Sequence, residues 1–264
     1  MPGVGPRLAL RVQVCLAACD FNAPELVSQT LSALQAKFPD SARVARLQGM
    51  AFEARGDYDA AEKVYADLLE KDKTNADAMK RRAALARARS GPIEAIKRLN
   101  EYLENYAADQ EAWAELAELY LELSMYKQAA FCLEELVLAA PHEQKRHLRY
   151  AEVLYTMGGA ENVLAAKRYF AAAVELGGGH GARALYGLAA CAQALRGAGN
   201  KHARSAEEAK LFSLAANRIK TLYRQADSPH AEMVADVLTS LGCYDKPKGG
   251  ARSADDETTS AMTT

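Results

Sequence analysis

One spacing constrains this chain more than any other feature. Ala61, Ala95 and Ala129 lie 34 residues apart, and so do Tyr65, Leu99 and Leu133, and Gly49, Ala83 and Ala117. A 34-residue period with small side chains at two fixed positions and large apolar ones between them is the tetratricopeptide pattern. Its physical basis is close packing: two antiparallel helices per repeat touch where side chains are small, and large residues fill the space between the contacts. No segment alternates apolar and polar residues over a strand's length, and Val and Ile are sparse. The expected fold is therefore all-α, a right-handed superhelix of antiparallel helix pairs with a concave face.

The unit Gln110 to Glu143 is the clearest. Trp113, Leu116, Ala117 and Tyr120 fall on its first helix, Ala129, Leu133 and Leu136 on its second, and Pro141 ends it. Ala42–Asn75 and Ala76–Asp109 precede it, with inter-helix turns at Gly56-Asp57-Tyr58 and Ser90-Gly91-Pro92. Leu8–Ser41 forms a weaker unit through Cys15, Val27, Leu31 and Pro39. Beyond Glu143 the register holds at Ala151. Gly158-Gly159-Ala160-Glu161 then inserts residues, and Ala166 and Phe170 resume the pattern about three residues late. Gly177-Gly178-Gly179 breaks it. Closing helices are expected over Ala182–Leu195, Ser205–Gln225 and Pro229–Leu241, with a polar loop from Gly197 to Arg204. The domain reading is an irregular start over residues 1–7, one helical array over 8–244 and a disordered polar tail over 245–264.

Charge excludes some partners. Lys plus Arg total 33 against 34 Asp plus Glu, so the basic excess of a generic nucleic-acid binder is missing. The apolar run before Cys19 mimics a lipoprotein signal, but Arg11 and Gln13 interrupt it. No run approaches the ~18 apolar residues that span a bilayer. The five cysteines, Cys15, Cys19, Cys132, Cys191 and Cys243, are odd in number and irregularly spaced, which fits small helix residues in a reducing compartment better than a disulfide framework.

No residue pattern in the sequence marks a catalytic or metal site. His142 and His147 stand five residues apart and so point about 140° apart on a helix, which prevents them from sharing a metal. Gly177-Gly178-Gly179-His180-Gly181 follows a helix, not a strand, and no Gly-Lys-Ser/Thr follows it, so it reads as a turn and not a phosphate cradle. No local Ser, Cys, His and acid arrangement marks a nucleophile. The reading is a non-enzyme, without cofactor, metal or small-molecule substrate.

The first helix of each pair should line a groove, with sites at about the second, fifth, sixth, ninth and thirteenth positions of a repeat. Glu111, Glu115, Glu118 and Glu122 fall there in one unit, Lys80 and Arg81 in the unit before it, and Arg43 and Arg46 in the unit before that. The groove is thus expected to run from basic to acidic. Two readings stand side by side: a solvated face with cross-repeat ion pairs, or a bipolar site for a partner segment. Tetratricopeptide proteins that hold chaperone C-termini clamp a carboxylate with Lys, Arg and Asn. Here Arg46, Met50, Arg81, Glu111 and Glu115 occupy the matching positions, and acids standing where bases are required disfavour that use.

The runs LNEYLE from Leu99, DQEAW from Asp109, AAFCLEEL from Ala129 and YAEVLYTMGG from Tyr150 resemble subunit 2 of the endoplasmic reticulum membrane protein complex. The resemblance extends from about Ala42 to Leu188. It implies a scaffold subunit without catalytic residues, peripheral at the cytoplasmic face of the endoplasmic reticulum. Its partners would be the cytosolic and membrane subunits of a complex that inserts tail-anchored and multi-spanning proteins. Family members carry further helices ahead of the aligned region, whereas this chain opens with MPGVGPR, which shows no helix pattern. The alternative is an independent cytosolic peptide-binding adaptor.

Overall fold

The computed structural model describes residues 5–198 and 202–242. The expected tail from Asp245 and the thiol of Cys243 lie outside the described residues, as does the middle of the expected Gly197–Arg204 loop. Thirteen helices and no strand occur among the described residues. They are α1 (Gly5–Asp20), α2 (Pro24–Lys37), α3 (Ala42–Ala54), α4 (Tyr58–Lys71), α5 (Ala76–Ser90), α6 (Pro92–Asn105), α7 (Gln110–Glu122), α8 (Tyr126–Ala139), α9 (Gln144–Met157), α10 (Ala160–Leu176), α11 (Ala182–Ala198), α12 (His202–Gln225) and α13 (Ala231–Gly242). α1 includes Gly5, Pro6 and Arg7, so the helix begins ahead of Leu8; proline is tolerated there because a first-turn N–H has no intrahelical partner.

The period is visible in the helix starts themselves. α3, α5, α7 and α9 begin 34 residues apart, and so do α2, α4, α6, α8 and α10. Local chemistry sets these starts. Asp57 accepts a hydrogen bond from the Ala60 N–H, Asn75 from Ala78, and Asp109 from Glu111 and Ala112, while Pro24 and Pro92 open α2 and α6. Left-handed residues end the preceding helices at Asn22, Gly56 and Ser124. After each of them the next N–H returns to a carbonyl five residues back: Ala23 to Ala18, Asp57 to Phe52, and Met125 to Tyr120.

The small positions are the closest helix contacts. Ala61, Ala95 and Ala129 are fully buried, as are Ala83 and Ala117. At Gly49 the Tyr65 ring lies so near that an added Cβ would sit 2.5 Å from it. The two positions are matched: where the large residue is Tyr65 the small one is glycine, and where it is Leu99 or Leu133 the small one is alanine. The insertion near Gly158 does not form a longer loop. α10 starts on schedule at Ala160 but runs for 17 residues where α8 runs for 14, and its buried Ala166 and Phe170 come correspondingly late.

The chain divides into two compact units, residues 1–169 and 170–264. The first is the regular array: α1 with α2, α3 with α4, α5 with α6 and α7 with α8 form hairpins, and α4 with α5, α6 with α7 and α8 with α9 join them. In the second, α12 packs against α11 and α13 around Leu185, Ala189, Phe212, Ile219 and Leu238.

Candidate partner-binding face

The eight residues singled out for the groove all lie on α3, α5 and α7 of the first unit. Their surroundings follow one rule. A base at the fifth position of one repeat meets an acid at the second position of the next. Arg46 pairs with Asp77, and Lys80 pairs with Glu111 at 3.3 Å. Lys80 also reaches Asp109, the cap of α7, at 2.5 Å, and its ammonium stands 5.7 Å from the centre of the Tyr102 ring. Burial works against that ammonium, but Asp109 and Glu111 outweigh it and hold the Lys80 pKa above the ordinary lysine value.

Further pairs join the same helices. Arg81 reaches back to Glu53, with Nε donating at 3.3 Å, and Tyr65 donates its hydroxyl to the same carboxylate at 2.5 Å. Burial, then the bond to Glu53, pushes the Tyr65 hydroxyl well above its ordinary pKa. Arg87 meets Glu122 at 3.2 Å, and Arg149 on α9 meets Glu118 at 2.9 Å. Of the eight residues, only Arg43 and Glu115 make no ion pair among the described residues. Arg43 is exposed and Glu115 half-buried. The acidic stripe is therefore not a row of free carboxylates, because three of its four members meet bases from neighbouring first helices. Sequence reading missed Asp77, Glu53, Arg87 and Arg149. The signal was a charge of opposite sign about one repeat away, most often 31 residues, and not the three or four residues searched within a helix.

The remaining candidates are structural. His142 is exposed in the turn before α9, whereas His147 is buried and donates from Nε2 to the Pro141 carbonyl at 2.7 Å. That bond ties the turn to its helix and leaves Nδ1 without a partner. No group of three or more His, Cys, Asp or Glu able to hold a metal occurs among the described residues. Gly178 and Gly179 adopt left-handed backbone, and their N–H groups cap α10 through Glu175 and Val174. Cys15, Cys132 and Cys191 are buried and Cys19 half-buried. Burial, helped by Cys15, raises the Cys19 thiol to about 11, and burial raises Cys132 to about 12, which keeps both as unreactive thiols. None of the described helices is long and apolar enough to cross a membrane.

A 34-residue helix-hairpin array whose first helices are laced by ion pairs is a fold shared by many proteins, so sequence comparison decides the family. Residues 30–160 match the family model for the EMC2 TPR-like repeat domain. ER membrane protein complex subunit 2-A of Xenopus laevis is 41% identical over 230 residues, which cover 87% of this chain and 76% of that protein. The chain belongs to the ER membrane protein complex subunit 2 family. A more distant relative, TPR repeat protein oca3 of Schizosaccharomyces pombe, is 31% identical over 166 residues, covering 62% of this chain and 59% of that one. Among solved structures, pilF of Pseudomonas aeruginosa superposes with a TM-score of 0.52 at 18% identity, over 88% of this chain and 96% of that chain. That similarity concerns the fold alone. The family match spans α3 to α9, the helices that carry the ion-pair ladder.

Proposed function

We propose that this protein is a non-catalytic scaffold subunit of an endoplasmic reticulum membrane protein complex, held peripherally at the cytoplasmic face by the other subunits. There it supports insertion of tail-anchored and multi-spanning membrane proteins. The observation that carries this reading is the 41% identity over 87% of the chain to a protein named as subunit 2 of that complex. The physical character of the described residues agrees with it. The ladder stiffens the face of the first helices, and a stiff face presents a partner segment with little ordering cost. Two charged groups on that face remain available to a partner, Arg43 and Glu115, and the half-exposed carboxylates of Glu118 and Glu122 can be shared with an incoming base. The adaptor reading is weaker. The two arginines that stand at carboxylate-clamp positions, Arg46 and Arg81, are already engaged by Asp77 and Glu53.

The test is depletion of the protein in cells, followed by rescue. The wild-type chain should restore both recovery of the complex from detergent-solubilised membranes and insertion of a tail-anchored reporter. His142→Ala, His147→Gln and Cys191→Ala should restore insertion wherever they restore assembly. A variant that assembles fully yet fails to support insertion would refute the scaffold reading. Failure of the tagged chain to co-purify with any membrane subunit would refute membership.

A further inference from the structure

The second unit carries a surface that the ladder of the first does not explain. α13 packs on α12 through Leu238, with Val234 half-buried beside it. The adjoining side of the same helix is bare: Met233 is 59% exposed, Val237 51% and Leu241 41%. These residues are four apart, so they form one stripe along just over two turns of the helix. Successive side chains are rotated by about 100°, which sets Glu232 and Asp236 along the flank of the stripe opposite the buried seam. A cavity of 580 Å³ opens between the end of α12 and the start of α13, lined from α13 by Ala231, Glu232, Ala235 and Asp236, and so lies on the side of α13 away from the stripe. Its rim holds three carboxylates and one guanidinium.

Contiguous large apolar side chains left in water mark a binding surface. Charge decides what covers this one. α13 contains two acids and no Lys or Arg. A second copy of the chain pairing stripe to stripe with α13 antiparallel would set carboxylates against carboxylates, which disfavours that pairing. The residues of this sequence beyond Gly242 offer only Tyr244 and Met262 as large apolar side chains, too few to cover the stripe. An anionic membrane surface would be repelled by the acidic flank. We propose that α13 docks an amphipathic helix of a partner protein, with apolar side chains at i, i+4 and i+7 over Met233, Val237 and Leu241. Lys or Arg along one edge of that helix lies toward Glu232 and Asp236. This inference does not depend on which complex the first unit serves.

The probes are two synthetic helical peptides with leucines at that spacing, one flanked by lysines and one by glutamates, titrated against the full chain by fluorescence anisotropy. The lysine peptide should bind at least about tenfold more tightly, with a preference that falls as salt rises. Glu232→Lys with Asp236→Lys should reverse the preference. Met233→Ser with Val237→Ser should abolish binding of both peptides while leaving the melting temperature unchanged, because these side chains are exposed. Equal binding of the two peptides, or binding indifferent to these substitutions, overturns the proposal. A dimer in sedimentation equilibrium that Met233→Ser with Val237→Ser dissociates assigns the stripe to a second copy and overturns it too. Flotation with phosphatidylcholine–phosphatidylserine vesicles that the same substitutions abolish does so in favour of a membrane.

Discussion

One guanidinium nitrogen of Arg149 on α9 donates to both carboxylate oxygens of Glu118 on α7, at 2.9 and 3.0 Å. Three residues away along α7, Glu115 has no such partner. Two neighbouring glutamates on one helix face therefore do different things: one joins adjacent repeats, and the other is left for something else to meet.

Glu118→Lys should lower stability by about 0.5–1 kcal/mol, the ordinary range for a half-exposed pair that is broken and replaced by like charges. Glu115→Lys should leave the melting curve unchanged. Under the scaffold reading, Glu115→Lys alone should reduce recovery of partner subunits, and more so at low salt. Equal loss of stability in the two variants would show that Glu115 is also held within the repeat array.

Asp109 ties three structural levels together. It caps α7 through the N–H groups of Glu111 and Ala112, accepts from the Tyr102 hydroxyl at 2.6 Å and meets Lys80 at 2.5 Å. Burial works to raise its pKa, but Lys80, Tyr102 and the Ala112 N–H outweigh burial and hold it below the ordinary carboxylate value. A group whose pKa is lower in the fold stabilises fully above the unfolded value of about 3.9 and loses that contribution as pH falls through the folded value. Stability measured by urea unfolding should therefore fall below about pH 4 in the parent more steeply than in Asp109→Asn. At neutral pH, Asp109→Ala should cost about 1–2 kcal/mol through loss of the cap. Parallel pH profiles for the parent and Asp109→Asn would contradict this account.

Much of the array could be read from the sequence because close packing leaves residue-type traces. Ala61, Ala95 and Ala129 must be small, Gly56 must accept left-handed backbone, and Asp57 and Asn75 must accept hydrogen bonds, so each position reports its own environment. The ladder was harder to see. Whether Lys80 meets Glu111 depends on how one hairpin stacks on the next, a relation between residues about a repeat apart that no local window samples. The late core positions in α10 were legible from Ala166 and Phe170, but the on-schedule start at Ala160 was not: nothing local distinguishes three residues added to a turn from three added to a helix. The burial of His147 was also hidden, because it depends on the Pro141 carbonyl folding back over α9.

Gly49 and Tyr65 should behave as a unit. Gly49→Ala places a methyl group 2.5 Å from the Tyr65 ring and should cost about 1–3 kcal/mol through overpacking. Tyr65→Leu alone opens a cavity at a fully buried site. Combined, the two changes recreate the Ala83–Leu99 pairing of the next repeat, so the double variant should be more stable than the sum of the single effects allows, by roughly 1 kcal/mol or more. Simple additivity in chemical denaturation would mean that the repeat positions are not equivalent in packing.

Ser124 offers the opposite experiment, a predicted gain. It has φ 57°, in the left-handed region, at the end of α7. The corresponding residue two hairpins earlier, in the α3–α4 turn, is Gly56, with φ 77°. The backbone there must turn left-handed so that the Met125 N–H can reach the Tyr120 carbonyl at 2.8 Å. A side chain in that conformation carries a steric cost of about 1–2 kcal/mol, which glycine lacks. Glycine in turn loses more backbone freedom on folding, by about 0.5–1 kcal/mol. Ser124 is exposed and its side chain takes part in no hydrogen bond that the change would remove. The balance predicts that Ser124→Gly raises stability by about 0.5–1 kcal/mol, readable as a higher denaturation midpoint with an unchanged slope. Ser124→Val should lower the midpoint, because a β-branched side chain fits left-handed backbone poorly. If Gly and Val shifted the midpoint in the same direction, backbone strain at residue 124 would not be what governs that turn.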